Sequence, residues 1–208
     1  MAKRARKPKA ANRPAAGAAA ARAKSRRLPA IVAGVALAAA ALGAWRWYDG
    51  RADEAAFMAA AARGAGALPG RVETFPSAGR EHVPPGTPMR YPAPFPTSGT
   101  HWTTWIDPGR YDEPQQPAQL VHSLEHGMIV VYYDRPPAAC DEAIDTWVGL
   151  YGGPWSGVVA VPYPGLGETL MLSAWTRNLR LENCATETDL AAAFIDAYRG
   201  RGPEHPVR

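Results

Sequence analysis

The feature that most constrains this chain is an uncharged run, LPAIVAGVALAAAALGAW, at residues 28–45. A helix needs roughly 20 predominantly apolar residues to cross a bilayer, so this run sits at the short end of the spanning range. Arg46 follows, then Trp47 and Tyr48, the amphipathic aromatic edge expected where a span meets the headgroups. Immediately before the run, residues 1–27 hold ten Lys or Arg and no acid. Positive charge of this kind stays in the cytoplasm, so the N-terminus is expected inside and all that follows the span outside. A cleaved signal peptide, cut near Gly43 or Ala44, is the competing reading. Its apolar region is typically about 7 to 15 residues, shorter than this one, and a retained anchor is preferred.

Charge divides along the same boundary. Residues 28–208 contain thirteen Arg against nineteen acids, a formal charge of −6, so the pI of 9.2 describes the tail and not the domain. A nucleic-acid-binding protein should carry its basic footprint on the folded surface, and that class is excluded here. The expected partners are the lipid bilayer, whose anionic headgroups suit the tail, and an envelope component or small ligand outside. Cys140 and Cys184 both lie in the exported part. An even cysteine count in an oxidising compartment points to a disulfide, with two unrelated buried thiols as the alternative.

The expected organisation is a basic, disordered cytoplasmic tail over 1–27, a transmembrane helix over 28–48 and a helical stalk over 49–69. An extracytoplasmic domain over 70–200 and a C-terminal tail over 201–208 follow. Ten prolines between 71 and 117 interrupt regular structure, leaving short strands near 72–75 and 81–83. Phe75, Tyr91, Phe95, Trp102, Trp105 and Tyr111 give this stretch the apolar anchors that disordered linkers lack, so it reads as ordered loop. Pro117 suits the first position of a helix ending at Gly127. MIVVYYD (128–134) reads as a buried strand, and PPAACDEAIDTWVGLYGG as a helix stopped by Gly152 and Gly153. Strands over 158–163 and 168–175 come next, with 178–182 a continuation or a third. A last helix is capped at Thr186 or Thr188 and runs to Tyr198. The fold class is therefore α+β: a short, mostly antiparallel sheet covered by helices, preceded by a long ordered proline-rich loop and the N-terminal transmembrane helix.

Chemistry concentrates in the histidines. His122 and His126 stand four apart on the expected short helix, a spacing that lets two imidazoles share a metal. Glu125 between them completes the His-x-x-Glu-His string of inverted zinc proteases. A protease would need a third ligand, for which Glu168 and Glu182 are the available downstream glutamates, and a longer helix than Gly127 permits. The preferred reading adds His101, from the PTSGTH turn, as third ligand and His82 as a candidate fourth, with Glu125 orienting one imidazole from outside the ligand set. Imidazoles suit zinc or copper, and Met89 or Met128 nearby would tilt the choice toward copper. The alternative is that these histidines only brace a polar network. Ser98 lacks the strand-and-elbow context of a nucleophile and reads as part of a tight turn. The tryptophans read as core and interface anchors before ligand stackers.

Three segments carry a resemblance: REHVPPGTPMRY (80–91), PFPTSGTHW (94–102) and LVHSLEHGMIVVYY (120–133). They resemble the bacterial proteins of unknown function classed as DUF3105, over roughly residues 70–200. The chain departs from the pattern with Phe95 and Thr100 where prolines are usual and with Met128 where a small or polar residue is common. The resemblance implies an exported, often membrane-anchored domain in which His82, His101, His122, Glu125 and His126 group together. It implies no activity. The expected function is a membrane-tethered domain binding a transition metal or small ligand, without catalytic residues. A non-enzymatic envelope interaction module is the second reading, and a zinc hydrolase the third.

Overall fold

A computed structural model describes the backbone from residue 16 and the side chains from residue 31; the basic residues 1–15, expected as part of a disordered tail, lie outside the described residues. The chain separates at Asp49 into two units, taken in turn. The first holds the N-terminal part of helix α1 (Ala16–Gly64), which begins within the basic segment and not at residue 28. Its apolar stretch is long enough to cross a membrane. Ile31, Val35 and Leu37 are exposed there, on a stretch apolar on every side.

From Gly50 onward the helix changes character and joins the second unit. Phe57 and Ala61 are buried, and the Phe57 ring meets Tyr151 edge-on at 5.1 Å. Arg63 pairs with Asp189 at 2.7 Å, and a 3-10 turn (Ala65–Gly70) containing Pro69 ends the segment. The expected stalk is thus packed onto the domain.

The remaining elements are β1 (Val72–Thr74), β2 (His82–Val83), β3 (His101–Trp102), β4 (Gly109–Arg110), α2 (Pro117–Glu125), β5 (Ile129–Tyr133), α3 (Ala138–Leu150), β6 (Val158–Pro162), β7 (Leu170–Ala174), β8 (Arg177–Leu181) and α4 (Cys184–Tyr198). Six strands form one sheet in the order β1-β8-β7-β5-β6-β4. Its β1–β8, β8–β7 and β7–β5 pairings are antiparallel, and β5–β6 and β6–β4 are parallel. The α+β class and the mainly antiparallel sheet are as expected. The parallel pair has a plain cause: β5 and β6 are joined through helix α3, and a crossover helix returns the chain in the same direction.

Period-2 alternation distributes β5 between two cores. Ile129, Val131 and Tyr133 face α3, α4 and the buried end of α1, with Ile144 and Phe194 among their neighbours. Val130 and Tyr132 face α2 and the proline-rich loop, with Leu120, Leu124, Met128 and Phe95. Both faces are covered, which is why every residue of β5 is buried. Each fully buried Leu, Ile or Phe here contributes about 1.5–3 kcal/mol. Cys140 on α3 and Cys184 at the start of α4 are joined by a disulfide with Cα atoms 5.9 Å apart, tying together two helices of the first face.

The proline-rich loop is ordered through polar anchors as well as aromatic ones. Trp102 donates to the Thr87 carbonyl at 3.0 Å, and the Tyr91 hydroxyl to that of Thr100 at 2.8 Å. Asn178, on β8, donates to the Phe95 carbonyl at 3.2 Å. These bonds satisfy carbonyls that no regular ladder reaches.

Candidate metal centre

Two short strands bring the first histidines together. β2 and β3 pair in parallel, with His82 and His101 as register partners. The pairing is held by backbone bonds from His101 N to Glu81 O at 2.9 Å and from Thr103 N to Val83 O at 3.1 Å. The chain enters β3 through Gly99, whose φ of +118° favours glycine. Ser98 accepts a bond from the Ala78 amide at 3.0 Å, so its hydroxyl braces this turn.

Helix α2 lies against β3 and supplies His122 and Glu125, with His126 at its C-terminal cap. Pro117 sets the first turn. Ser123, on the same helix, both donates to and accepts from the backbone of Ile106, locking α2 to the loop. Gly127 ends the helix with φ +95°.

The side chains converge as follows. His101 Nε2 stands 3.0 Å from Glu125 Oε2 and 3.2 Å from His82 Nε2, and His82 Nε2 stands 3.3 Å from Glu125 Oε2. These three atoms form a nearly equilateral triangle. His122 joins them, and the four donor atoms lie within 4.8 Å of one another. His101 is 0% and Glu125 1% exposed, whereas His82 lies at the surface. Two protons are assigned by the hydrogen bonds. His101 Nδ1 donates to the Gly99 carbonyl and His122 Nδ1 to the Trp102 carbonyl, both at 2.7 Å. In the neutral rings, therefore, both Nε2 atoms are left as lone pairs.

Burial pushes the His122 pKa down to about 4, against the raising effect of the Trp102 carbonyl and with help from His126, His101 and His82. Burial also lowers the His126 pKa, partly offset by the nearby Glu204 carboxylate. His122 is neutral at pH 7 and available as a donor. His126 packs its ring 4.1 Å from Trp155 and 4.7 Å from Trp105. These two tryptophans are engaged with the histidine. Trp147 belongs to the core.

His126 is drawn away from the triangle, toward Glu204. Its Nε2 is 3.1 Å from Glu204 Oε2, and His122 Nε2 is 3.8 Å from the same oxygen. Glu204 was not among the residues expected from the sequence. It arrives because the C-terminal segment, expected as a tail over 201–208, folds back over α2: Gly200 N bonds to Gly127 O at 2.8 Å and Glu204 N to Glu125 O at 3.4 Å. Gly202 crosses so close that a Cβ there would collide with the Glu125 carbonyl and the Gly127 nitrogen. Gly202→Ala is accordingly expected to lift the segment at a cost on the order of 1–3 kcal/mol, read as faster hydrogen exchange at the Gly200 and Val207 amides. His205 stacks edge-on with Trp155 at 5.2 Å.

The other candidates fall elsewhere. Glu182 pairs with Arg180, and Glu168 lies in the turn before β7; neither belongs to a histidine group. Met128 is fully buried among Leu120, Leu124 and Val130. Met89 lines a groove of about 410 Å³ with Phe75, Tyr91 and Phe95, in which no histidine takes part.

A mixed helix-and-sheet domain with a His/Glu cluster at the junction of a proline-rich loop and a short helix is the class this arrangement defines. The family model for DUF3105, described as a protein of unknown function, matches residues 82–208, and the chain belongs to that family. The match takes in the folded-back segment to Arg208. No curated protein and no solved structure matches this chain.

Proposed function

We propose that this is a membrane-anchored extracytoplasmic domain that binds a divalent transition-metal ion, zinc foremost, through His82, His101, Glu125 and His122. The observation that carries the reading is a buried carboxylate ringed by imidazole nitrogens. Among the described residues the ion pairs of Glu125 are with His82 and His101, and no arginine reaches it. A carboxylate so deeply buried needs a cation close by. An imidazolium would supply one; the convergence of four donor atoms from His82, His101, His122 and Glu125 within 4.8 Å of one another favours a metal ion.

The spacing supports the same conclusion. Tetrahedral zinc with bonds of about 2.0–2.1 Å holds its donors about 3.3 Å apart, and the triangle has edges of 3.0, 3.2 and 3.3 Å. Three nitrogens and one carboxylate oxygen suit zinc, while the positions of Met89 and Met128 lend nothing to copper. The backbone carbonyls of Gly99 and Trp102 are the outer partners that fix the tautomers of two ligands. Anchoring rests on the apolar stretch of α1, and the extracytoplasmic side on the basic flank and the disulfide.

The test is metal analysis and thermal melting of the full-length protein in detergent. Retained zinc, and a melting temperature that falls on chelation and returns with zinc, is the expected result. A protein without bound metal whose melting ignores chelator and zinc alike would remove the reading.

A further inference from the structure

His126 and Glu204 are left over when the first ion is placed. His126 is 2% exposed, and its Nδ1 is buried without a hydrogen-bond partner. If the ring's proton sat on Nε2 toward Glu204, Nδ1 would be a buried acceptor lacking a donor.

The donors are placed for an ion. His126 Nε2, Glu204 Oε2 and His122 Nε2 lie within 4.8 Å of one another. The two distances to Glu204, 3.1 and 3.8 Å, bracket the separation of about 3.3 Å that zinc sets between its ligands. His122 has one free nitrogen, because its Nδ1 is committed to Trp102, so it serves one ion at a time. The first position keeps the His82, His101 and Glu125 triangle without it.

We propose that the domain carries a second position for a divalent transition metal, made by His126, Glu204 and His122, and completed by the folding back of residues 200–208. Glu204 is partly open to solvent, so one coordination position faces water, the pattern of three protein ligands plus an exchangeable one. The position has its own donors in His126 and Glu204, and with both ions bound His122 serves it while His82, His101 and Glu125 hold the first ion.

Zinc titration of the full-length protein against a chromophoric chelator tests it. The expected stoichiometry is two equivalents for the wild type and one for Glu204→Gln, both read at a temperature where the metal-free proteins are folded. His126→Gln, which also removes a donor, should lose the same equivalent. His101→Ala should lose the other. Two equivalents in Glu204→Gln would overturn the proposal, as would a single wild-type equivalent that survives Glu204→Gln. In that second case, loss of the equivalent in His101→Ala would leave the first ion standing. Loss in Glu204→Gln but not in His101→Ala would instead uphold the second position and remove the first.

Discussion

Replacing His101 with alanine is expected to weaken zinc binding at the first position by on the order of 100-fold or more. Removing even an outer partner of a ligand costs about 10–100-fold, and His101 is placed as a ligand itself. At zinc a hundredfold above the dissociation constant, a bound ion stabilises the fold by about 2.7 kcal/mol, and the variant should lose most of the gain contributed by this position. Two effects must be kept apart. His101 is wholly buried against Glu125, so its loss also leaves a carboxylate short of a partner and lowers stability without any metal. Glu125→Gln separates the two, because it removes the charge and keeps the shape. If the cluster were only a polar brace, the glutamine variant would melt near the wild type with or without zinc. On the metal reading, it melts near the metal-free wild type and responds far less to zinc.

Loss of the disulfide is expected to have an effect of similar size and different origin. Cys140 and Cys184 are 44 residues apart, and closing a loop of that length restricts the unfolded chain by about 4 kcal/mol in the entropic account. For a domain of this size, each kcal/mol moves the melting temperature by about 2–4 °C. The Cys140→Ala/Cys184→Ala double variant should therefore melt about 8–16 °C lower than the oxidised protein. Reduction of the wild type should approach the same value, while the variant should not respond to reductant. Both sulfurs lie in the core face shared by α3 and α4, remote in the fold from the loop face that holds the histidines. Zinc stoichiometry at a temperature where the variant is folded should therefore be unaffected.

Much of the domain was legible in the sequence where local chemistry and tertiary context agree. Pro117 and Gly127 bracket α2, and the apolar runs of β5, β6 and β7 fall within two residues of their expected limits. What escaped depended on contacts distant along the chain. The two uninterrupted apolar runs at 128–134 and 158–163, with a helix between, were compatible with a parallel pair, because strands buried on both faces lose their alternation. The proline spacing concealed β3 and β4, each two residues long. Helical spacing and one turn suggested His101, His122 and His126 as ligands, with His82 a candidate fourth and Glu125 outside the set; the structure groups His82, His101, His122 and Glu125 and draws His126 toward Glu204. The closeness of His82 to His101 came from a strand register that two-residue strands do not announce. Glu204 left the weakest trace: an acid among Gly, Pro and Arg, brought in only because Gly127 and Gly202 allow two backbones to touch.

The most direct measurement is an anomalous difference map collected at the zinc edge from crystals of the full-length protein grown with zinc. The account predicts a peak about 2.0–2.2 Å from His82 Nε2, His101 Nε2 and Glu125 Oε2 together. Those three atoms in their present triangle with no anomalous density beside them, in crystals bathed in zinc, would contradict it.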